Sequence, residues 1–112
     1  MLLVVDAANV VGSVPDGWWR DRVGAATRLR DALATSDRPE DVVLVVEGAA
    51  RPVESVPGVR VVAAPGSGDD TIVDLVRGAD GPVTVVTSDR ALRARVEALG
   101  AATTGPRSLP YP

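Results

Sequence analysis

The chain has 112 residues, a formal net charge of −3 at pH 7, and a composition that is 46% hydrophobic and 24% charged. This length fits one domain, which can bury roughly two-thirds of its unfolded surface without a metal or a disulfide. The sequence has no Cys and no His, and its 12 basic residues are all Arg. These absences exclude thiolate, imidazole and lysine chemistry, and also metal sites that need Cys or His ligands. Any catalysis must use carboxylates, hydroxyls, guanidinium groups or the backbone.

The acidic balance, with a pI of about 4.8, argues against a protein that coats polyanions in general. It does not exclude a nucleic-acid enzyme whose acidic groups hold cations in one place. No apolar run reaches the roughly 20 residues of a membrane span. Residues 1–5 lack a basic region and are followed by Asp6, so they do not resemble a signal peptide. We expect a cytoplasmic protein, and the arginine-only, Ala- and Val-rich usage is typical of a GC-rich bacterial genome.

Four apolar runs have the length of β-strands, and residues 101–104 are a candidate for a short edge strand. The runs are continuous rather than alternating, which is typical of strands that are covered on both faces. They cover residues 2–5, 42–46, 59–63 and 83–87.

Between these runs lie three segments with helical periodicity. In the first, Asp16 is the expected N-cap and Trp19 belongs to the apolar stripe that faces the core. In the third, Ser88 is the expected N-cap and Gly100 ends the helix. The three segments cover residues 17–34, 69–77 and 89–99.

The alternation of strands and helices predicts an α/β fold with an open parallel sheet and right-handed crossovers. The internal prolines between residues 39 and 82 all fall between predicted elements, as expected from their effect on helices and strands. We expect one domain over residues 1–105 and an irregular, proline-rich tail over residues 106–112.

Carboxylates follow every main strand of the predicted sheet: Asp6, Glu47, Asp69 with Asp70, and Asp89. Because parallel sheets bind ligands beyond the carboxyl ends of their strands, these groups should meet at one edge. Like charges in one crevice are costly unless cations join them. Oxygen ligands without nitrogen or sulfur favour Mg²⁺ or Mn²⁺, which can activate water and neutralise a phosphoryl group. A hydrolytic nuclease needs both effects.

Each carboxylate also has a purely structural interpretation. Asp69 and Asp89 stand where helices are predicted to begin, and Asp is a common N-cap. For any single one of them the cap is the better interpretation, whereas four at four strand ends favour a site. Asp74 is expected to be a solvated charge, and Arg93 and Glu97 are expected to form a surface pair at i, i+4.

Three motifs of the sequence resemble those of NYN domains, a branch of the PIN-like ribonuclease superfamily. VVDAANVV (residues 4–11) is similar to the family's first strand, which ends in Asp followed three residues later by Asn. GDDTIVDLV (residues 68–76) is similar to its acidic helix start, and VVTSDR (residues 85–90) to its last acidic motif. The motifs occur in the family's order, and the resemblance spans about residues 2–105.

The resemblance implies a three-layer PIN-like domain, with a central parallel sheet of four to five strands flanked by helices. It also implies a divalent-metal-dependent endoribonuclease that uses Mg²⁺ or Mn²⁺. Glu47 is a further candidate ligand, since many members have Asp there, and Asn9 either orients groups nearby or satisfies its own turn. The chain lacks the family's final helix after Pro106, which could expose a sheet edge to a protein partner or a second copy. The residues that the resemblance implies as catalytic and metal-binding are Asp6, Asp69, Asp70 and Asp89.

The segment after the first strand supplies candidate contacts to RNA. Trp18 could stack on a base of single-stranded RNA, while Arg20 and Arg22 could contact phosphates. The structural alternative is that both tryptophans fill a core that is short of aromatic residues. Ser88 and Arg90, in the last acidic motif, are further candidate contacts, with Arg90 able to clamp a phosphate.

Other function classes fit less well. A non-catalytic PIN-like adaptor that binds RNA or a protein is favoured by the small size and opposed by the complete set of acidic positions. Haloacid-dehalogenase phosphohydrolases also end their first strand in Asp, but they use a second Asp where Ala8 stands, and a lysine. A generic nucleotide-binding domain would need a glycine-rich turn after the first strand, and this chain has none there.

Overall fold

The computed structural model describes residues 1–111. Within that range the chain forms five strands and four α-helices, with short 3₁₀ turns at Trp18–Arg20, Gly48–Ala50 and Pro106–Ser108. The strands are β1 (Leu2–Asp6), β2 (Asp41–Val46), β3 (Val59–Ala63), β4 (Val83–Val86) and β5 (Ala102–Thr104), and the helices are α1 (Ala7–Gly12), α2 (Arg22–Thr35), α3 (Gly68–Arg77) and α4 (Arg90–Glu97).

All five strands are parallel and lie in the order β3-β2-β1-β4-β5. In the centre of the sheet, Val4 pairs with Val43 on one side and with Val85 on the other. The chain builds outward from β1 to β3 and then crosses to the opposite side of β1 to form β4. The order therefore reverses between β1 and β4, and a crevice for ligands is expected at the carboxyl ends of these two strands.

Each face of the sheet has its own apolar core, which explains why the strands have continuous apolar sequences. Val5 points toward α1 and α2, where it joins a core that includes Leu29 and Leu44. Val4 points to the other face and joins Ile72 and Leu92 of α3 and α4. Val4 and Val5 are both fully buried, as expected for a strand covered on two sides. The predicted three-layer α/β class is confirmed.

Helix α1 was not predicted, since the first helical segment indicated by the sequence begins at residue 17. Ala7, Val10 and Val11 are buried on one side of this six-residue helix, at the i, i+3, i+4 spacing of a helical face. Asp6 is its N-cap, with a carboxylate oxygen that accepts the backbone N–H of Asn9. Six residues are too few for a periodic pattern to stand out in the sequence.

The helix predicted from residue 17 begins only at Arg22, and its N-cap is Asp21 rather than Asp16. Gly17 has a φ of +77° and starts the separate 3₁₀ turn that carries both tryptophans. The predicted apolar stripe assumed one continuous helix from residue 17. Because the chain breaks between the 3₁₀ turn and α2, a different tryptophan ring faces the core. Trp19 was assigned to the core but is 55% exposed, whereas Trp18 is partly buried against the core under α1 and α2.

Helix α4 is capped by Asp89, not by Ser88 as predicted. An oxygen of the Asp89 carboxylate accepts the backbone N–H of Leu92 at 3.0 Å, and this satisfies one of the free donors of the first turn. The turn after the helix contains Gly100 at a φ of +92°, the left-handed conformation expected of a glycine there.

The end of the chain packs onto the domain rather than standing apart. Leu109 is buried in the core beneath α2, and Tyr111 packs against the same core. The last residue of the predicted tail, Pro112, lies outside the described residues. Among residues 1–111, none of the helices has both the length and the hydropathy required to traverse a bilayer.

Candidate active site

Asp6 is the acidic group that the fold buries most deeply at the carboxyl edge of the sheet. Only 8% of the residue is exposed, and its two carboxylate oxygens accept the Asn9 N–H and the Thr87 hydroxyl at 3.3 and 3.0 Å. Burial raises the pKa of the Asp6 carboxyl from 3.8 to about 6, although these two hydrogen bonds oppose the rise. The negative charges of Asp69 and Glu47 raise the pKa further. Two hydrogen bonds therefore hold the Asp6 side chain in place, while burial and the neighbouring carboxylates disfavour its negative charge.

Thr87 connects Asp6 to Asp89 and was not singled out by the sequence analysis as a site residue. It is fully buried, and its hydroxyl donates to Asp6 and accepts the backbone N–H of Asp89 at 3.2 Å. The Arg93 guanidinium donates to the Thr87 carbonyl at 2.8 Å. The predicted pair between Arg93 and Glu97 is replaced by this bond and by a hydrogen bond from Thr103 to Glu97. No local pattern marks Thr87, because its partner lies 81 positions away.

Asn9 joins the first helix to the loop between β4 and α4. Its side-chain oxygen accepts two hydrogen bonds from Ser88, one from the backbone N–H at 2.8 Å and one from the hydroxyl at 2.9 Å. The Asn9 side chain therefore bonds a distant loop rather than the backbone of its own turn. This clasp fixes the position of the loop that carries Asp89 relative to Asp6.

Glu47, at the end of β2, is turned toward the start of α3. Its carboxylate accepts the backbone N–H of Gly68, the first residue of that helix. A Cβ atom at position 68 would lie 2.6 Å from the same oxygen, so a larger residue there would displace the Glu47 carboxylate from this position. Glu47 thereby anchors the helix start that carries Asp69 and Asp70.

Asp69 and Asp70 have different surroundings although they are neighbours in the sequence. Partial burial raises the pKa of Asp69, the charges of Asp89 and Glu47 add to the rise, and Arg95 opposes it. Asp70 has a side chain that is 73% exposed and forms an ion pair with Arg95 at 3.1 Å. Asp69 therefore faces the other acidic groups, while Asp70 faces solvent and α4.

We call Asp6, Glu47, Asp69 and Asp89 the edge cluster. Asp6 and Asp69 each have a raised pKa, and both are influenced by other members of the cluster. The atoms that could bind a metal are all carboxylate oxygens, which suits Mg²⁺ or Mn²⁺. A cation would also relieve the repulsion between these negative charges. Within residues 1–111, however, no three acidic side chains are grouped closely enough to hold one metal ion together. The chemistry of the cluster fits a divalent cation, and ligation would require side-chain rearrangement.

The tryptophans and arginines lie beside this edge. The Arg22 guanidinium carbon is 5.4 Å from the centroid of the Trp18 ring, and that of Arg20 is 5.8 Å from the Trp19 ring. Trp18 and Arg22 line a cleft of about 430 Å³ that also contacts Glu47. Arg90 is exposed on the first turn of α4, next to the cap residue of that helix.

No protein-family model matches the chain, and no curated protein matches it. Among solved structures, it is similar to the crystal structure of a mutant of Rae1 (YacP) from Bacillus subtilis, with a TM-score of 0.65 and 19% sequence identity. The match covers 96% of this chain and 70% of that chain. At this identity the likeness shows a shared α/β fold, which is compatible with the PIN-like architecture. Membership of the NYN family stays a prediction from the sequence motifs.

Proposed function

We propose that this protein is a divalent-metal-dependent endoribonuclease that hydrolyses RNA at the edge cluster. The observation that supports this most strongly is the buried Asp6 carboxylate at the β1–β4 crevice, within the electrostatic influence of Asp69 and Glu47. Burying a carboxylate among other negative charges is costly, and such an arrangement is more typical of functional sites than of ordinary surfaces. The absence of His and Lys leaves cation-assisted hydrolysis as the chemistry that suits these residues.

Asp6, Asp69 and Asp89 are the residues that we propose hold the cation. A bound Mg²⁺ or Mn²⁺ would neutralise charge on the phosphate and lower the pKa of a coordinated water. Glu47 is a weaker candidate as a ligand, because one of its oxygens already holds the start of α3. Asp70 is also a weaker candidate, because it is exposed and paired with Arg95.

The remaining residues of the edge have positioning and binding roles in this proposal. Thr87 orients Asp6 through its hydroxyl, and the clasp between Asn9 and Ser88 holds the loop of Asp89. Arg20 and Arg90 are exposed at the same edge and would contact phosphates of single-stranded RNA.

Cleavage of single-stranded RNA tests the proposal. The wild-type protein should cut RNA with Mg²⁺ or Mn²⁺ and stop on addition of EDTA. Asp6→Asn and Asp89→Asn should each lower the rate by two or more orders of magnitude while RNA binding is kept, because each removes negative charge near phosphates. Asp74→Asn is the matched control, since Asp74 is exposed on α3 and pairs with Arg77. Equal rates in all three variants would refute the proposal.

A second candidate function is a non-catalytic adaptor that binds RNA or a protein. It is favoured by the structural use of the acidic groups: Asp6 and Asp89 cap helices, and Glu47 accepts the Gly68 N–H. Under this alternative, no variant and no cation produces cleavage. RNA binding would then be lost on Arg20→Ala or Arg22→Ala, in a salt-dependent manner.

A further inference from the structure

A cleft of about 430 Å³ opens at the carboxyl edge, on the face of the sheet that carries α1 and α2. Its walls come from the segments that follow β1, β2 and β3, together with the start of α2. Ala7 and Ala8 form the side nearest Asp6, and Glu47 forms the side nearest α3. The cleft is thus continuous with the edge cluster through Ala7, which directly follows Asp6, and through Glu47.

The lining of the cleft suits a flat, apolar ring with polar edges. Apart from the indole N–H of Trp18, its polar side-chain groups are those of Arg22 and Glu47, and its other walls are alanine, valine and glycine. The volume lies within the range of about 300 to 1,000 Å³ that is usual for small-molecule pockets. The small residues Ala8, Ala50 and Gly66 leave this space open beside the Trp18 ring.

Trp18 is held in a fixed position on this wall. Its ring packs against the core under α1, and a Cβ atom at Gly12 would lie 3.7 Å from it, so the end of α1 rests directly on the ring. Trp19 meets it edge-on, with centroids 6.0 Å apart and planes at 88°. The guanidinium carbon of Arg22 is 5.4 Å from the centroid of the Trp18 ring, so a cation lies beside the aromatic wall of the cleft.

We propose that the Trp18 cleft binds one base of the RNA, so that the neighbouring phosphate lies at the edge cluster. This inference rests on the proposed function only in taking RNA as the substrate, and it assigns the binding site rather than the reaction. Bases of any sequence can stack on an aromatic wall, and the guanidinium adds attraction for the phosphate backbone. A nucleotide therefore matches the cleft, since its base suits the aromatic and apolar walls and its phosphate suits the Arg22 cation.

Fluorescence of single-tryptophan variants tests this without any cleavage. The chain has two Trp, so Trp19→Phe leaves only the ring of the cleft and Trp18→Phe leaves only the exposed ring. In EDTA, a six-residue ribo-oligoadenylate should quench Trp19→Phe saturably and leave Trp18→Phe much less affected. An abasic ribose-phosphate oligomer of the same length and charge should not quench Trp19→Phe. Equal quenching of the two variants, or equal effects of the two probes, would overturn the inference.

Filling the cleft gives a second test that keeps Trp18 in place. Ala8 is exposed on α1 and lines the cleft, so Ala8→Leu should fold normally and weaken oligoadenylate binding roughly tenfold, the scale of one lost base stack. Ala94 is also exposed but lies on α4, and Ala94→Leu is the matched control. Unchanged binding in folded Ala8→Leu would contradict the inference.

The two proposals fail separately. Base-dependent binding in EDTA without cleavage in Mn²⁺ would keep the cleft assignment and refute the nuclease. Metal-dependent cleavage that Ala8→Leu leaves unchanged would do the reverse.

Discussion

The two sides of the carboxyl edge hold their acidic groups very differently. On the side of β1 and β4, Asp6 is 8% exposed and receives hydrogen bonds from Thr87 and Asn9. On the side of α3, Asp70 has a side chain that is 73% exposed and pairs with Arg95. A carboxylate buried at the end of a central strand must be satisfied by fixed hydrogen-bond donors, whereas one on a helix surface is solvated and screened. In the metal site that we propose, the β1–β4 side would be preorganised, and the side chains on the α3 side would have to adjust for ligation.

The largest expected effect separates the two adjacent acidic residues of α3. Asp69→Asn should reduce metal-dependent RNA cleavage by about two orders of magnitude, because Asp69 faces Asp89 and Glu47. Asp70→Asn should change the rate by less than about threefold, because its charge is largely offset by Arg95 and solvent. Cleavage rates of the two variants at saturating Mn²⁺ show which of the two carboxylates the reaction needs. A larger loss in Asp70→Asn would reverse the assignment of the inward-facing residue.

The pH dependence of stability should report the burial of Asp6. The pKa of the Asp6 carboxyl is about 6 in the folded protein, and its ordinary value of 3.8 applies to the unfolded chain. As pH rises, Asp6 therefore ionises first in the unfolded state. Without divalent cations, wild type should therefore lose stability relative to Asp6→Asn between about pH 4 and pH 6. The difference should reach at most about 3 kcal/mol above pH 6, since each pKa unit corresponds to about 1.36 kcal/mol. Urea unfolding of both proteins from pH 3.5 to pH 7.5 measures it, and a constant difference would show that the pKa is not raised.

A smaller effect is expected from removing the hydroxyl that orients Asp6. Thr87→Val keeps the shape of a fully buried residue but deprives Asp6 of a donor and the Asp89 N–H of an acceptor. The free energy of unfolding at pH 7 should fall by about 1–3 kcal/mol. Thr103→Val is the matched control, because its hydroxyl bonds to Glu97 in an exposed position, and it should cost less than about 0.5 kcal/mol. Equal losses in the two variants would mean that the buried hydrogen bonds add nothing.

The sheet and the placement of the strand-end carboxylates at one edge could be predicted from the sequence, because both depend on simple patterns. Continuous apolar runs indicate strands buried on two faces, and strand ends place Asp6 and Asp89 at one edge. Local geometry could not be predicted as well. The turn at Gly17 reverses the expected positions of Trp18 and Trp19, and this reversal depends on a backbone conformation rather than on hydrophobicity.

The residues that sequence reasoning missed act across the fold. Thr87 looks like an ordinary strand residue until β1 and β4 are placed side by side. Arg93 was paired with its helical neighbour Glu97, yet a backbone carbonyl on the adjacent loop is the partner it contacts. Competition between a local and a distant partner is decided by tertiary packing, so spacing along the chain does not reveal it.

The measurement that tests the central claim most directly is a calorimetric titration of Mn²⁺ into the purified protein. Wild type should show saturable binding, and Asp6→Asn and Asp69→Asn should each abolish it, because both remove a carboxylate from the edge cluster. Asp74→Asn, which removes an exposed charge from the same helix as Asp69, should bind as wild type does. Binding that is absent in wild type, or that persists unchanged in Asp6→Asn, would contradict a metal site at this edge.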